Sequence, residues 1–225
     1  MVASSLAAPV AHRLETEPRM AEPADDRELV RALRHDLDGA PARLYDRHAP
    51  AIRRVIVRVM GFDPEVPDLV HETFARALAQ IHSLRDADRL GAWLTSIAVF
   101  VARGCIRKRS RQRWLRFRAP RDLPEVVSTE ARPDVQSAMR RAYALLERLR
   151  ADDRIAFTLR HIDGMEVTEV ASACGVSLAT AKRRLARARE RFLVLARRDA
   201  VLGDWLADEA PGQVMGDATE EVSDE

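Results

Sequence analysis

Between residues 164 and 192 the chain reads GMEVTEVASACGVSLATAKRRLARARERF, and Ala171, Gly175 and Ser177 punctuate it at fixed spacing. Two helices joined by a sharp turn need a small side chain where they cross. They also need a residue that accepts positive φ in the turn, and a cap for the second helix. The three residues meet those needs in that order. Val170, Cys174 and Val176 supply apolar contacts around the turn. In the second helix Ala181, Leu185, Ala188 and Phe192 fall on one stripe to be buried. A helix that reads DNA turns its first residues to the groove and its later cations to phosphates. Thr180, Lys182 and Arg183 fill the first role, with Ser177, Leu178 and Ala179 beside them, and Arg184 and Arg187 fill the second. A solvated cationic face would account for the arginines. It would not account for the punctuation before them.

The charge distribution agrees. Net charge is only +2, but eight acidic residues and no basic one lie between Asp204 and Glu225. Removing those eight from the 35 acidic residues leaves 27 against 37 basic ones, or +10 over residues 1–203. A basic body with an acidic tail points to a polyanionic partner. All the basic residues except Lys108 and Lys182 are arginine, which suits bidentate contact with phosphates and base edges, although a GC-rich genome produces the same bias. Two cysteines and six histidines form no disulfide framework and no metal-ligand spacing. No catalytic constellation, metal, cofactor or small-molecule substrate is expected, so the chain is read as a non-enzyme. The N-terminus lacks the charged start and apolar run of a signal peptide. No stretch approaches the roughly 18 apolar residues of a membrane span. A soluble, cytoplasmic protein without membrane insertion is expected.

The apolar periods are helical throughout, and the expected fold is all-α, two small helical domains joined by a flexible linker. Residues 1–26 read as a disordered leader. Residues 27–115 form the first unit, with Leu29, Val30, Leu33 and Leu37 on an opening helix that ends near Gly39. Leu44 and Tyr45 come next, then a stripe of Ile52, Val55, Ile56 and Val59. Asp68 is placed as N-cap of a helix over 69–84. After a turn at 85–91, a helix over 92–115 starts apolar and ends basic. Residues 116–136, broken by prolines, read as the linker. Residues 137–198 form the second unit, the helix-turn-helix domain, and 199–225 the acidic tail.

The stretch 149–192 resembles the fourth conserved region of bacterial sigma factors. Glu169-Val170-Ala171 matches that family's EIA, Thr180 to Leu185 its TVKSRL, and Arg187-Ala188-Arg189 its RAR. Ala179, Ala181 and Ala151-Asp152 are mild departures. Residues 44–84 are similar to the second conserved region of the extracytoplasmic-function class. There Asp68 to Phe74 sits on DLVQEVF, and Ala92 to Ala98 on the family's aWL..IA.

The resemblance implies a promoter-specificity factor. Helix 69–84, through Asp68, Leu69, His71, Glu72 and Phe74, would dock on the β′ coiled coil of core RNA polymerase, with the β flap as a further contact. Trp93 and the cations Arg103, Arg107, Lys108, Arg109 and Arg111 would take the melted minus-10 strand of promoter DNA. The helix-turn-helix would read minus-35. An anti-sigma factor is a usual further partner in this class, though no residue here specifies one. Phe100 and Gly104 stand where the family often has polar residues, and Phe100 is expected to be buried beside Val99 and Val101. The competing readings are a stand-alone helix-turn-helix regulator without polymerase docking, and an interaction protein whose basic helices meet an acidic partner.

Overall fold

The computed structural model describes residues 23–61, 63–116 and 133–203, and every regular element among them is helical. Helix α1 spans Pro23–Arg34, α2 Ala40–Met60 and α3 Val66–Ala79. Two 3-10 turns, Ile81–Ser83 and Ala87–Arg89, lead into the long α4, Leu90–Arg116. The second group is α5 Pro133–Leu146, α6 Ala151–His161, α7 Val167–Cys174 and α8 Leu178–Ala196. The leader at 1–22, the linker at 117–132 and the tail at 204–225 lie outside the described residues.

Several boundaries differ from the sequence expectation, each for a local reason. Helix α1 begins inside the expected leader, and Asp26 is buried with its carboxylate 3.0 Å from Arg47 Nε and 3.3 Å from His48 Nε2. It stops at Arg34, so Leu37 lies beyond it and is 55% exposed. Helix α2 runs unbroken through Pro50. Proline in a helix interior costs about 3 kcal/mol, and the buried Leu44, Ile52, Val55, Ile56 and Val59 on both sides of it offset that cost. Asp68 is not a cap, because α3 already begins at Val66 and Asp68 sits in its first turn. At the other end of the chain Asp199 accepts from the Val201 and Leu202 backbone N–H groups and starts a further helical turn. Leu202 is fully buried against the second unit, so packing continues past residue 198.

The stretch Ala87–Gln112 is, contrary to expectation, long and apolar enough to cross a membrane. Half of its most apolar window is buried in the protein, Leu90, Leu94, Ala98 and Ala102 among it, and the helix packs on α2 and α3. That is how the central helix of a folded core looks.

The two helical groups pack against each other. Ile155, Ala156, Leu159, Val170, Ala173 and Cys174 belong to the same buried cluster as the apolar residues of α1–α4. Arg154, 3% exposed, crosses the seam and donates to the Val59 and Met60 carbonyls, each at 3.0 Å. Those are the last carbonyls of α2, where the helix dipole favours a cation. The Tyr143 hydroxyl donates to the Arg58 carbonyl at 3.3 Å, and Asp163 pairs with the Arg58 guanidinium. Gly61 turns the chain at φ 77, and a Cβ there would stand 2.9 Å from the Tyr143 ring. A second, smaller cluster of Tyr143, Leu146, Phe157, Phe192 and Leu195 holds α5, α6 and α8 together.

Candidate nucleic-acid interface

The helix-turn-helix is built as its punctuation requires. Helix α7 opens on a reciprocal capping box between Glu166 and Glu169 and closes on Gly175 at φ 64. The Val176 N–H reaches back to the Ala171 carbonyl at 3.0 Å. Ser177 caps α8 by accepting from the Thr180 N–H at 3.3 Å. Ala181, Ala188 and Phe192 are buried and Leu185 is partly buried, so the opposite edge faces out.

On that edge Ser177, Leu178, Ala179, Lys182 and Arg183 are exposed. The Arg183 guanidinium donates to Thr180 Oγ1 at 3.2 Å, and Thr180 Oγ1 lies 3.0 Å from Ser177 Oγ. This chain of polar contacts holds Arg183 over the first turn of α8, where a groove-reading side chain must start. The two cations assigned to phosphates are placed differently. Arg187 forms a bidentate pair with Asp153, at 2.7 and 2.5 Å, and Asp153 is buried. Arg184 is half-buried and lies 3.8 Å from Asp152.

Arg187 therefore ties α8 to α6. Replacing it with alanine leaves a buried carboxylate without its strongest partner, which costs about 2 kcal/mol. The expected outcome is a melting temperature several degrees lower with an unchanged salt slope of DNA binding. An unchanged melting temperature with a slope shallower by about one unit would make Arg187 a phosphate contact instead.

The basic end of α4 divides in two. Lys108 and Arg111 are exposed. Arg109 is committed to the fold: Asp63 accepts from it bidentately, one bond at 2.7 Å, and Glu65 lies 3.0 Å away. The hydrogen bonds that Arg109 donates to Asp63 raise the Arg109 pKa above its usual value, and Asp63 stays below its own despite burial. Arg103 donates to the Cys174 carbonyl at 3.0 Å, and Asp152 lies 3.0 Å from Arg103 Nε and 2.7 Å from Arg107. Burial pushes the Asp152 carboxyl up, but the hydrogen bond from Arg107 and the charges of Arg184 and Arg103 hold it below the usual range. Arg103, Arg107 and Arg184 thus share one carboxylate across the seam. Trp93 is half-buried at the start of α4.

Phe100 corrects the expectation of burial. It is 57% exposed, and the Arg76 guanidinium lies 5.2 Å from its ring centroid. Its neighbours Val99 and Val101 are buried on the two sides of the same helix.

Helix α3 presents Asp68, His71 and Glu72 to solvent. His71 stacks on Tyr45 with centroids 5.8 Å apart, and Glu72 pairs with Arg76 at 2.5 Å. Leu69 and Phe74 are 8% and 5% exposed, so neither forms part of that surface. They share the inward face with Val66, Val70, Thr73 and Ala77. Asp152, Arg154 and Asp163 carry no motif that marks them as seam residues.

Comparison with known proteins bears on both halves. The family described as Sigma-70 region 2 matches residues 44–114, and Sigma-70, region 4 matches 139–192. An ECF RNA polymerase sigma factor of Rhodopseudomonas palustris, EcfG, is 29% identical over 167 residues, covering 74% of this chain and 90% of that protein. The ECF RNA polymerase sigma factor SigC of Mycobacterium tuberculosis is 28% identical over 188 residues, covering 82% of this chain and all of SigC. Among solved structures, CnrH in complex with the cytosolic domain of CnrY aligns with a TM-score of 0.53 at 25% identity, over 78% of this chain and 99% of CnrH. The sigma factor RpoE of Bartonella quintana, in complex with the anti-sigma factor NepR, aligns at 0.52 and 27% identity, over 67% of this chain and 92% of RpoE. The two family matches lie in the expected order, one on each helical group, and together span more than half of the chain. The chain belongs to the sigma-70 family of RNA polymerase sigma factors, in its extracytoplasmic-function class.

Proposed function

We propose that this protein binds core RNA polymerase and directs it to promoters, as a non-catalytic initiation factor working in the cytoplasm. The exposed Asp68, His71 and Glu72 face of α3 is the docking surface for the β′ coiled coil. The first turn of α8 reads the duplex minus-35 element through Thr180, Lys182 and Arg183, with Ser177, Leu178 and Ala179 at the edge. The α4 face bearing Trp93, Arg107, Lys108 and Arg111 takes the melted minus-10 strand. Unit 27–115 carries the docking and minus-10 tasks and unit 137–198 the minus-35 task, and an anti-sigma factor is the expected antagonist.

The observation that carries this reading is the presence, in one chain, of an exposed acidic edge on α3 and an exposed basic edge on α8, each on a family-matched half. In vitro transcription with core polymerase over a promoter library tests it. Promoter-specific transcripts that require this protein are expected, together with weak promoter binding by the protein alone. Tight promoter binding without core enzyme, and no transcripts with it, would install the stand-alone regulator instead.

A further inference from the structure

Helix α8 carries six cations and one acidic residue, Glu190. Arg184 and Arg187 face Asp152 and Asp153. Lys182, Arg189 and, just past the helix, Arg197 are exposed and pair with no carboxylate among the described residues. They stand seven and eight residues apart, about two turns each, so they line one exposed side over about 22 Å. Like charges in a row repel one another, and an anion lying along them relieves that repulsion.

The chain carries such an anion in its own sequence. Residues 204–225 hold eight acidic residues and no basic one, five of them at Asp217, Glu220, Glu221, Asp224 and Glu225. The point from which this segment departs is fixed. Leu202 is fully buried in the cluster of Leu146, Phe157 and Leu195, and a Cβ on Gly203 would lie 3.4 Å from the Arg197 carbonyl. The segment therefore starts at the C-terminal end of α8, beside the last cation of the row.

From Gly203 to Asp217 is 14 residues, which reach at most about 46 Å. That is about twice the length of the row, so the five acids can lie over any part of it, Lys182 included. A tethered partner acts at an effective concentration in the millimolar range, enough for a weak ionic contact to form. On the other helical group Lys108 and Arg111 are exposed cations too, but only α8 offers its row next to the point of departure.

Resting on the minus-35 reading of α8, we propose that the acidic segment 204–225 lies along the Lys182–Arg197 side of α8 when DNA is absent. Its acids from Asp217 to Glu225 compete there with DNA phosphates. The protein alone binds promoters weakly because its reading edge is already occupied, and DNA displaces the segment as it docks.

The test compares the full chain with a variant carrying Asp217→Asn, Glu220→Gln, Glu221→Gln, Asp224→Asn and Glu225→Gln, both without core enzyme. The DNA is the minus-35 duplex that the promoter library selects. At about 50 mM salt the variant binds it roughly five-fold tighter than wild type, and by about 200 mM the two converge. In amide NMR spectra without DNA, the substitutions move the signals of Lys182, Arg189 and their neighbours on α8. A synthetic peptide of residues 204–225, added to the variant, moves the same signals back toward their wild-type positions.

Equal affinities overturn the proposal. So does tighter binding by the variant with the α8 signals unmoved, which makes the gain an effect of net charge alone. Movement confined to Lys108 and Arg111 overturns it in favour of a seat on α4. Should neither protein, with or without core enzyme, prefer any minus-35 duplex to a scrambled one, the minus-35 reading fails. The α8 signals then still decide by themselves whether the segment lies on that helix.

Discussion

Reversing Asp68 and Glu72 to arginine together is expected to lower affinity for core RNA polymerase at least a hundredfold, while the melting temperature moves by only a few degrees. Both side chains are exposed on α3, and neither contributes to the core. Asp68 complements the helix dipole in the first turn, worth about 0.3–1 kcal/mol at the surface. Glu72 contributes an exposed pair with Arg76, worth about 0.3–0.5 kcal/mol. Losing both costs the fold about 1 kcal/mol, or roughly 2–4 °C for a chain of this size. An interface arranged around this acidic edge instead meets a change of four charge units, and like-charge juxtaposition costs several kcal/mol. About 2.8 kcal/mol is already a hundredfold. Core-polymerase pull-down and thermal denaturation of the same preparation check both halves. A retained polymerase complex sinks the docking assignment, and a collapse in melting temperature shows that the pair is structural.

What the sequence displayed and what it concealed divide by distance along the chain. The helix-turn-helix was legible because its determinants are local: a small residue, a positive-φ glycine and a serine cap within seven positions. The docking stretch was legible as a string but not as a surface. Reading 68–74 as one motif placed Leu69 and Phe74 with Asp68, His71 and Glu72, whereas helical geometry turns them to opposite sides. The same geometry explains Phe100. Residues adjacent in a helix point about 100° apart, so buried neighbours at 99 and 101 do not imply burial between them.

The cations of α4 look alike in sequence, yet Arg109 is taken by Asp63, 46 residues earlier, and Arg107 by Asp152, 45 residues later. The Arg58–Asp163 pair spans 105 residues. No local pattern announces such partners. The seam they form packs the two expected helical domains against each other.

That seam sets the second large effect. Arg154→Met is expected to destabilise the protein by about 3 kcal/mol, lowering the melting temperature by roughly 6–12 °C. Methionine fills much of the volume, so little of the loss comes from a cavity. What disappears is a buried guanidinium donating to the last two carbonyls of α2, at 3.0 Å each. Leaving a buried carbonyl without its donor costs about 1–3 kcal/mol, and two are left here. Part of that is returned, because the wild-type guanidinium was itself desolvated. The balance still falls on the destabilising side, since a charged donor at a helix C-terminus has no substitute in methionine.

The shared core adds a second signature. With Ile155, Leu159 and Val170 packed into the cluster of α1–α4, the wild-type chain unfolds as one cooperative unit. Weakening the seam by 3 kcal/mol uncouples the halves, so the variant melts in two resolved steps. Calorimetry on wild type and variant decides it. A melting temperature within 2 °C of wild type, or a wild-type trace already split in two, would mean that Arg154 does not hold the two halves together.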